Sequence, residues 1–162
     1  APSAAEVIQI QSAAEMTEAV LRLLPEATIV VKAAAVADYT VAHPPDQKVK
    51  RSGPLNLELT PTTDILAEIA RRKQGRIVIG FAAETENVVE NGRKKLSAKS
   101  LDAIVVNDVS KEGVGFDTDR NAVTILTASE TIAVPETTKW DVAQRVLDCA
   151  AQLKNRVPAV RH

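Results

Sequence analysis

The sequence predicts an α/β fold: a mostly parallel sheet with helices on both faces and an antiparallel hairpin extension. Strand-like and helix-like segments alternate along the chain, which is typical of parallel sheets built from strand-helix-strand units. Several strand-like segments are continuous apolar runs, as expected for strands covered on both faces. Residues 122–128 and 131–136 flank a short turn, which indicates a hairpin. Together these features predict a Rossmann-like arrangement.

The amino-terminal part contains one clear helix signal. Ser12 and Glu15 have the spacing of a capping box, and Met16, Val20 and Leu23 recur on one face of the helix that follows. The next apolar run ends in the small residues of "AAAVADY". Three prolines and a glycine then predict a loop. This part is predicted to form a strand at 7–10, a helix at 12–24, a strand at 27–35, a loop at 40–54 and a strand at 55–60.

In the remaining part, Thr62 or Thr63 is the expected cap of a helix that stops at Gly75. Buried strands are expected on both sides of a helix that is rich in cations towards its carboxyl end. A long amphipathic helix closes the chain. The predicted elements are a helix at 61–75, strands at 76–84 and 101–108 around a helix at 87–100, the hairpin, and a helix at 139–156.

Length and composition restrict the class of protein. The 162 residues, 45% of them hydrophobic, are sufficient for one domain with a continuous core, and we expect residues 1–162 to form a single domain. The lone Cys149 lies on the closing helix and is expected to be a buried structural thiol. A net charge of −1 and 2% aromatic residues argue against nucleic-acid or membrane partners. The apolar runs are too short to span a membrane, so we expect a cytoplasmic protein.

Ligands of such sheets bind outside the carboxyl ends of the strands. This rule selects Asp38, the segment after Phe81, and Asn107 with Asp108. Nearby, Lys48 and Lys50 would point to the same side of an extended segment, which suits phosphate oxygens, although their spacing alone favours a solvated basic loop.

Two further candidates also have ordinary structural explanations. Lys95 and Lys99 lie one turn apart near a helix carboxyl end, where cations are favoured with or without a ligand. Phe81 is either a core residue or a platform for a base. The residues alone leave both alternatives open.

The usual nucleotide and calcium motifs are absent from the sequence. Gly113 and Gly115 form a GxG that does not open a helix, and no GxxxxGK[ST] is present. Residues 117–121 resemble a calcium loop, but Ala122 and Ala128 stand where glycine and glutamate are required. A nicotinamide-dependent oxidoreductase is therefore a distant alternative.

Several sequence blocks resemble the phosphopantothenate-cysteine ligase family of coenzyme A biosynthesis. They are "AAAVADY", the lysine of "DQKVKR", "LTPTTDILAEI", "GFAAET", "KKLSAKSLDAIVVND" and "GVGFDTDRNAVTIL". The similarity runs from about residue 7 to about residue 150. In bacteria the ligase is commonly fused behind a flavin-dependent phosphopantothenoylcysteine decarboxylase, and this chain resembles the carboxyl-terminal portion of the ligase half.

The resemblance implies a two-step ligation in the bacterial bifunctional type. CTP activates the carboxylate of 4'-phosphopantothenate to an acyl-cytidylate, and the amine of L-cysteine then displaces CMP to form an amide. Magnesium (Mg²⁺) assists the first step, and family members are homodimers. Residues 122–134 are a plausible arm for the dimer contact. A nucleotide-binding module without catalysis is the alternative.

The resemblance also assigns residues. It makes Lys48 the catalytic residue as well as a nucleotide contact, and it assigns Lys50 to Gly53 to a flap over the intermediate. The implied nucleotide-binding residues are Lys32, Ala33, Ala34, Asp38, Lys48, Pro61, Thr62, Thr63, Asp64, Phe81, Lys95 and Lys99.

The sequence departs from the family pattern in three places. "TPTTD" stands where other members carry Lys-Asn-Pro-Asp, and Lys32 stands where a small or apolar residue is common. The glycine-containing strand end, the helix and the asparagine that begin the family's ligase domain have no counterpart before residue 17. We therefore expect this chain to bind nucleotide but to catalyse weakly or not at all by itself.

Overall fold

A computed structural model describes residues 5–45, 47–50, 53–108 and 119–156 of the chain. It divides into two compact units: unit 1 comprises Ala1–Pro25 and Ala35–Ile65, and unit 2 comprises Glu26–Ala34 and Leu66–His162. The helices are α1 (Ala13–Leu23), a short 3₁₀ helix (Leu24–Glu26), α2 (Ile65–Arg71), α3 (Val88–Ala98) and α4 (Lys139–Arg156). The strands are β1 (Ile29–Lys32), β2 (Tyr39–Val41), β3 (Leu59–Pro61), β4 (Ile77–Glu84), β5 (Ala103–Asp108), β6 (Arg120–Thr127) and β7 (Thr131–Thr138).

Unit 2 contains a five-stranded sheet in the order β1-β4-β5-β6-β7. β1, β4 and β5 are parallel, whereas β6 and β7 form an antiparallel hairpin at one side of the sheet. The predicted α/β class and the hairpin extension are thereby confirmed.

The two faces of this sheet are packed differently. Ile77, Ile79, Val105 and Ile125 lie in one core cluster with α4, including the buried Cys149. Cys149 is a buried thiol of this core, as expected, and its burial raises the pKa of the thiol. On the opposite face α3 packs on the sheet through Gly92.

The strand at 27–35 was predicted to be longer and buried on both sides, and this was wrong. Only Ile29–Lys32 form β1, and Ile29 and Val31 remain 37% and 42% exposed. β1 is the edge strand of the sheet and pairs with β4 alone. A continuous apolar run in a sequence indicates which residues can be buried. It does not indicate whether another part of the protein covers them.

In unit 1, Ser12 caps α1 as predicted, while the returning hydrogen bond to Glu15 comes from Gln11 and not from the Ser12 amide of a regular capping box. The Ser12 hydroxyl accepts a hydrogen bond from the Glu15 amide at 3.2 Å, and the Glu15 carboxylate accepts one from the Gln11 amide at 2.8 Å. Residues 7–10 form no strand, contrary to the prediction. Instead Ile8 and Ile10 line a shallow apolar pocket with α1.

β2 and β3 form a separate two-stranded antiparallel sheet within unit 1. The predicted strand at 55–60 is reduced to β3, and the predicted loop at 40–54 loses its first two residues to β2. The alternating leucines of the prediction, Leu55, Leu57 and Leu59, are all exposed. Alternation therefore did not identify a buried face here.

α2 is much shorter than the predicted helix at 61–75. It begins at Ile65, after both proposed cap residues, because Thr62 uses its hydroxyl and amide in other hydrogen bonds. It ends at Arg71, before Gln74 and Gly75 adopt positive φ angles. No helix among the described residues is long and apolar enough to cross a membrane.

Asp102 joins the starts of β4 and β5. One of its carboxylate oxygens accepts from the Val78 amide at 2.7 Å, and the other pairs with the Lys73 ammonium at 2.9 Å. Lys73 also donates to the Ser100 carbonyl at 2.9 Å. A single carboxylate therefore satisfies a backbone donor of a core strand and a lysine.

We expect Asp102→Leu to lower the free energy of unfolding by about 2 kcal/mol, because it leaves the Val78 amide without its acceptor and removes one of the two acceptors of the Lys73 ammonium. Urea denaturation measures this loss. Lys73→Met removes the cation but keeps the hydrogen bond from the Val78 amide to the Asp102 carboxylate. We therefore expect it to lower the free energy of unfolding by less than about 1 kcal/mol. Equal losses in the two variants would contradict the role given to the Val78 hydrogen bond.

Candidate functional site

The carboxyl end of β4 extends past its edge neighbour. The last pairing between β1 and β4 joins Lys32 to Gly80, whereas β4 continues to Glu84. After Lys32 the chain leaves the sheet through Ala33 and Ala34, both exposed. Side chains this small leave the end of the strand open to a ligand.

Register assigns the candidate side chains of unit 2 to opposite faces of the sheet. Side chains alternate along a strand, so Lys32, Gly80 and Glu84 share the face on which α3 packs. Phe81 projects to the other face, the face of α4 and the core cluster. The structure therefore does not place Phe81 beside Lys32, although Phe81 directly follows Gly80, the register partner of Lys32.

Lys95 of α3 reaches the end of β4. Its ammonium lies 2.6 Å from Glu84 Oε1, and Asn91, one helical turn earlier, donates to Glu84 Oε2 at 3.4 Å. Asn91 also donates to the Glu86 carbonyl at 2.9 Å. Lys99 follows one turn after Lys95 and is half-buried, and its amide caps α3 by donating to the Lys95 carbonyl at 3.0 Å.

Unit 1 contains the second group of candidate residues. The Thr62 amide donates to the Asp38 carbonyl at 2.9 Å, and the Thr62 hydroxyl donates to the Ala37 carbonyl at 2.5 Å. The pairing of Tyr39 with Pro61 continues this contact into the β2–β3 sheet. The structure thus brings Asp38 together with Pro61 and Thr62, three of the residues that the resemblance assigns to the nucleotide.

Thr62 has a structural role that the sequence did not suggest. Its hydroxyl and amide are both used to hold residues 37 and 38, whereas Thr63 and Asp64 are exposed between β3 and α2. Asp38 is exposed as well. Thr62 therefore shapes the loop that presents the Asp38 carboxylate.

Lys48 lies in the described stretch 47–50 and is exposed. Within the described part of unit 1, no ion pair joins Lys48 to Asp38. Of the implied flap, Arg51 and Ser52 lie outside the described residues, as do Gly113, Gly115 and the first two residues of the calcium-like segment at 117–121. Lys50 and Gly53 are described and exposed.

Sequence reasoning identified Lys95 and missed its partners. Glu84 and Asn91 are brought to Lys95 by the turn from β4 into α3, which aligns a strand end with one helical face. Available signals were a carboxylate at the end of a buried strand and the four-residue spacing of Asn91 and Lys95. In this arrangement the Lys95 ammonium group is held in place by Glu84 and can bind an anion.

No group of three or more His, Cys, Asp or Glu side chains in the described ranges is arranged to hold a metal ion. Magnesium sites in nucleotide enzymes commonly use one or two carboxylates together with substrate phosphates and water. The described residues therefore supply no metal cage of their own.

The chain was compared with known proteins. The model of the DNA/pantothenate metabolism flavoprotein C-terminal domain matches residues 1–153. A relative, the Coenzyme A biosynthesis bifunctional protein CoaBC of Bacillus subtilis (strain 168), is 45% identical over 154 residues, which are 94% of this chain. The match covers 38% of that relative, so the chain spans well under half of its length.

Two solved structures share the fold. The crystal structure of the C-terminal domain of a Coenzyme A biosynthesis bifunctional protein CoaBC matches with a TM-score of 0.72 and 35% identity, over 91% of this chain and 64% of that one. A mutant of Cab2 in complex with phosphopantothenate-cysteine matches with a TM-score of 0.64 and 15% identity, over 91% and 54%. At that identity the second likeness concerns the fold alone.

Proposed function

Because the chain belongs to the DNA/pantothenate metabolism flavoprotein C-terminal domain family, we propose that it is a ligase domain of coenzyme A biosynthesis that joins 4'-phosphopantothenate to cysteine. The observation that carries the proposal is the sequence identity to the CoaBC protein across nearly the whole chain. The shared fold with a CoaBC carboxyl-terminal domain supports it.

The proposed reaction has two steps. A carboxylate oxygen of 4'-phosphopantothenate attacks the α-phosphorus of CTP, which forms an acyl-cytidylate and releases pyrophosphate. The cysteine amine then attacks the acyl carbon, loses a proton, and displaces CMP as the amide bond forms. Negative charge develops on the pyrophosphate in the first step and on the acyl oxygen in the second. Cationic side chains positioned at these oxygens therefore accelerate both steps.

The residues proposed for these tasks follow the resemblance. We assign the phosphates to Lys95 and Lys99, and the nucleoside to Asp38, Phe81 and the exposed backbone after Lys32. Lys48 is proposed as the donor to the developing oxyanion, which its exposure permits. Ala33 and Ala34 keep the strand end open, and Pro61 to Asp64 are proposed to contact the nucleotide through exposed groups.

Magnesium is proposed only as the counter-ion of the nucleotide phosphates, because the described side chains form no metal cage. When bound to the phosphates it would neutralise part of their charge. The roles given above to the lysines do not depend on it.

The wider setting is also a proposal. Since the B. subtilis relative is bifunctional and much longer, we propose that a flavin-dependent decarboxylase accompanies this domain in one cytoplasmic polypeptide. We further propose a homodimer. β7 is an edge strand of the five-stranded sheet and is available for contact, although Pro135 interrupts its donors. Light scattering coupled to gel filtration measures the oligomeric state.

Calorimetric titration of the chain with CTP and with ATP tests the proposed function. We expect CTP to bind and ATP to bind at least about tenfold more weakly, which corresponds to about 1.4 kcal/mol. Pyrophosphate release from CTP and phosphopantothenate should then be measured with this chain and with a longer protein extended at its amino terminus. If neither nucleotide binds and neither protein releases pyrophosphate, the proposal is wrong.

A further inference from the structure

The Glu84 carboxylate is held between two residues of α3. Its side chain is 12% exposed; Lys95 Nζ lies 2.6 Å from one oxygen, and Asn91 Nδ2 donates to the other at 3.4 Å. Asn91 is itself fixed by the Glu86 carbonyl. A chain of contacts therefore runs from the loop before α3, through Asn91 and Glu84, to the Lys95 ammonium.

This ion pair differs from an ordinary surface pair. Among the described residues, Glu84 Oε1 is buried and has no hydrogen-bond partner, so the ion pair with Lys95 is the contact that compensates its charge. A buried charge is costly unless it is paired, which makes Glu84 a fixed anchor for a long side chain. On the same helix, Lys94 and Glu90 pair at 2.8 Å with both side chains about two-thirds exposed. That pair has no such anchor.

We propose that Glu84 is a positioning residue that holds the Lys95 ammonium at the carboxyl end of β4, ready for the nucleotide phosphates. The inference rests on the proposed function and extends it to residues that the resemblance does not assign. An ammonium group has three donors, and its half-exposed end keeps donors available to an anion while its charge stays paired with Glu84. Fixing the side chain beforehand reduces the rotamer entropy that is lost when the anion binds.

The sign of one measurement separates positioning from simple charge neutralisation. Glu84→Gln removes a negative charge from the neighbourhood of Lys95. If Glu84 only weakened the local positive field, this variant would bind an anion more tightly. If Glu84 positions Lys95, the variant binds more weakly although the site has become more positive.

The experiment is calorimetric titration of CTP into the wild-type chain and three variants. We expect Glu84→Gln to weaken binding about tenfold. Asn91→Ala keeps both charges and frees the carboxylate, and it should weaken binding about threefold. Glu90→Gln is the matched control, because it breaks the exposed pair on the same helix, and its affinity should stay within about twofold of wild type.

The possible outcomes are distinct. Wild-type chain that does not bind CTP would overturn this inference, and if the amino-terminally extended protein also released no pyrophosphate, the proposed function would be overturned as well. Wild-type chain that binds CTP, with Glu84→Gln binding equally or more tightly, would overturn the inference alone. Thermal denaturation checks that each variant is folded; if Glu84→Gln is not, the Asn91→Ala affinity decides, and an unchanged value rejects the positioning role.

Discussion

Replacement of Lys48 by glutamine is expected to slow amide formation by about 10²–10³-fold while changing CTP affinity less than tenfold. The proposed task of Lys48 is to donate to the oxyanion that exists only during acyl transfer, so its loss should appear in kcat. Glutamine keeps a donor of similar reach but removes the charge. Lys48 is exposed in the described stretch 47–50, so the substitution should leave the fold intact.

The measurement combines amide product formation, followed by mass spectrometry in an amino-terminally extended protein, with CTP calorimetry. Arg22→Gln, an exposed charge change near the end of α1, is the control and should leave turnover unchanged. Turnover equal to wild type in Lys48→Gln would remove Lys48 from the chemistry. If the wild-type protein binds CTP but neither this chain nor the amino-terminally extended protein forms the amide, the alternative of a non-catalytic nucleotide-binding module is favoured.

Gly92→Val is expected to lower the free energy of unfolding by about 3 kcal/mol. A Cβ at position 92 would lie 2.6 Å from Leu126 Cδ1 and 2.7 Å from Val106 Cγ2, closer than real contacts allow. Both neighbours are fully buried in the sheet, so little room exists for them to move. Overpacking of this kind costs about 1–3 kcal/mol, and the two further methyl groups of valine place it at the upper end.

Urea denaturation with two probes tests this expectation. Ala98→Val introduces the same residue at an exposed position of the same helix and should cost no more than about 0.7 kcal/mol, its loss of helix propensity. If both variants have the same denaturation midpoint, the close approach of α3 to the sheet does not limit stability.

The strands that were predicted correctly are those whose apolar residues are buried. β4, β5 and the β6–β7 hairpin were located to within a few residues, because their side chains fill a core that imposes the pattern. The errors fall on residues 7–10, on β1 and on residues 55–58, where apolar side chains are partly or largely exposed. Sequence periodicity indicates which side chains of a segment could be buried. Strand prediction from periodicity fails where few other residues cover the segment.

The candidate site shows a similar division. Individual residues such as Asp38 and Lys95 could be selected from a sequence resemblance, because residue type and order are visible in a sequence. The partners that hold them, Glu84 and Asn91 for Lys95 and Thr62 for the loop at Asp38, depend on contacts between separate elements. Such contacts become visible only when strand register and helix phase are known.

The double use of Thr62 restricts how position 62 can vary over evolutionary time. Its hydroxyl donates to the Ala37 carbonyl and its amide donates to the Asp38 carbonyl. The residue at position 62 therefore needs a short side chain with a hydrogen-bond donor and a backbone N–H. Serine and asparagine meet that demand, whereas proline and large apolar residues do not. Position 62 should therefore accept exchange among small polar residues, because the shape of the loop restricts its occupant in addition to the proposed nucleotide contact.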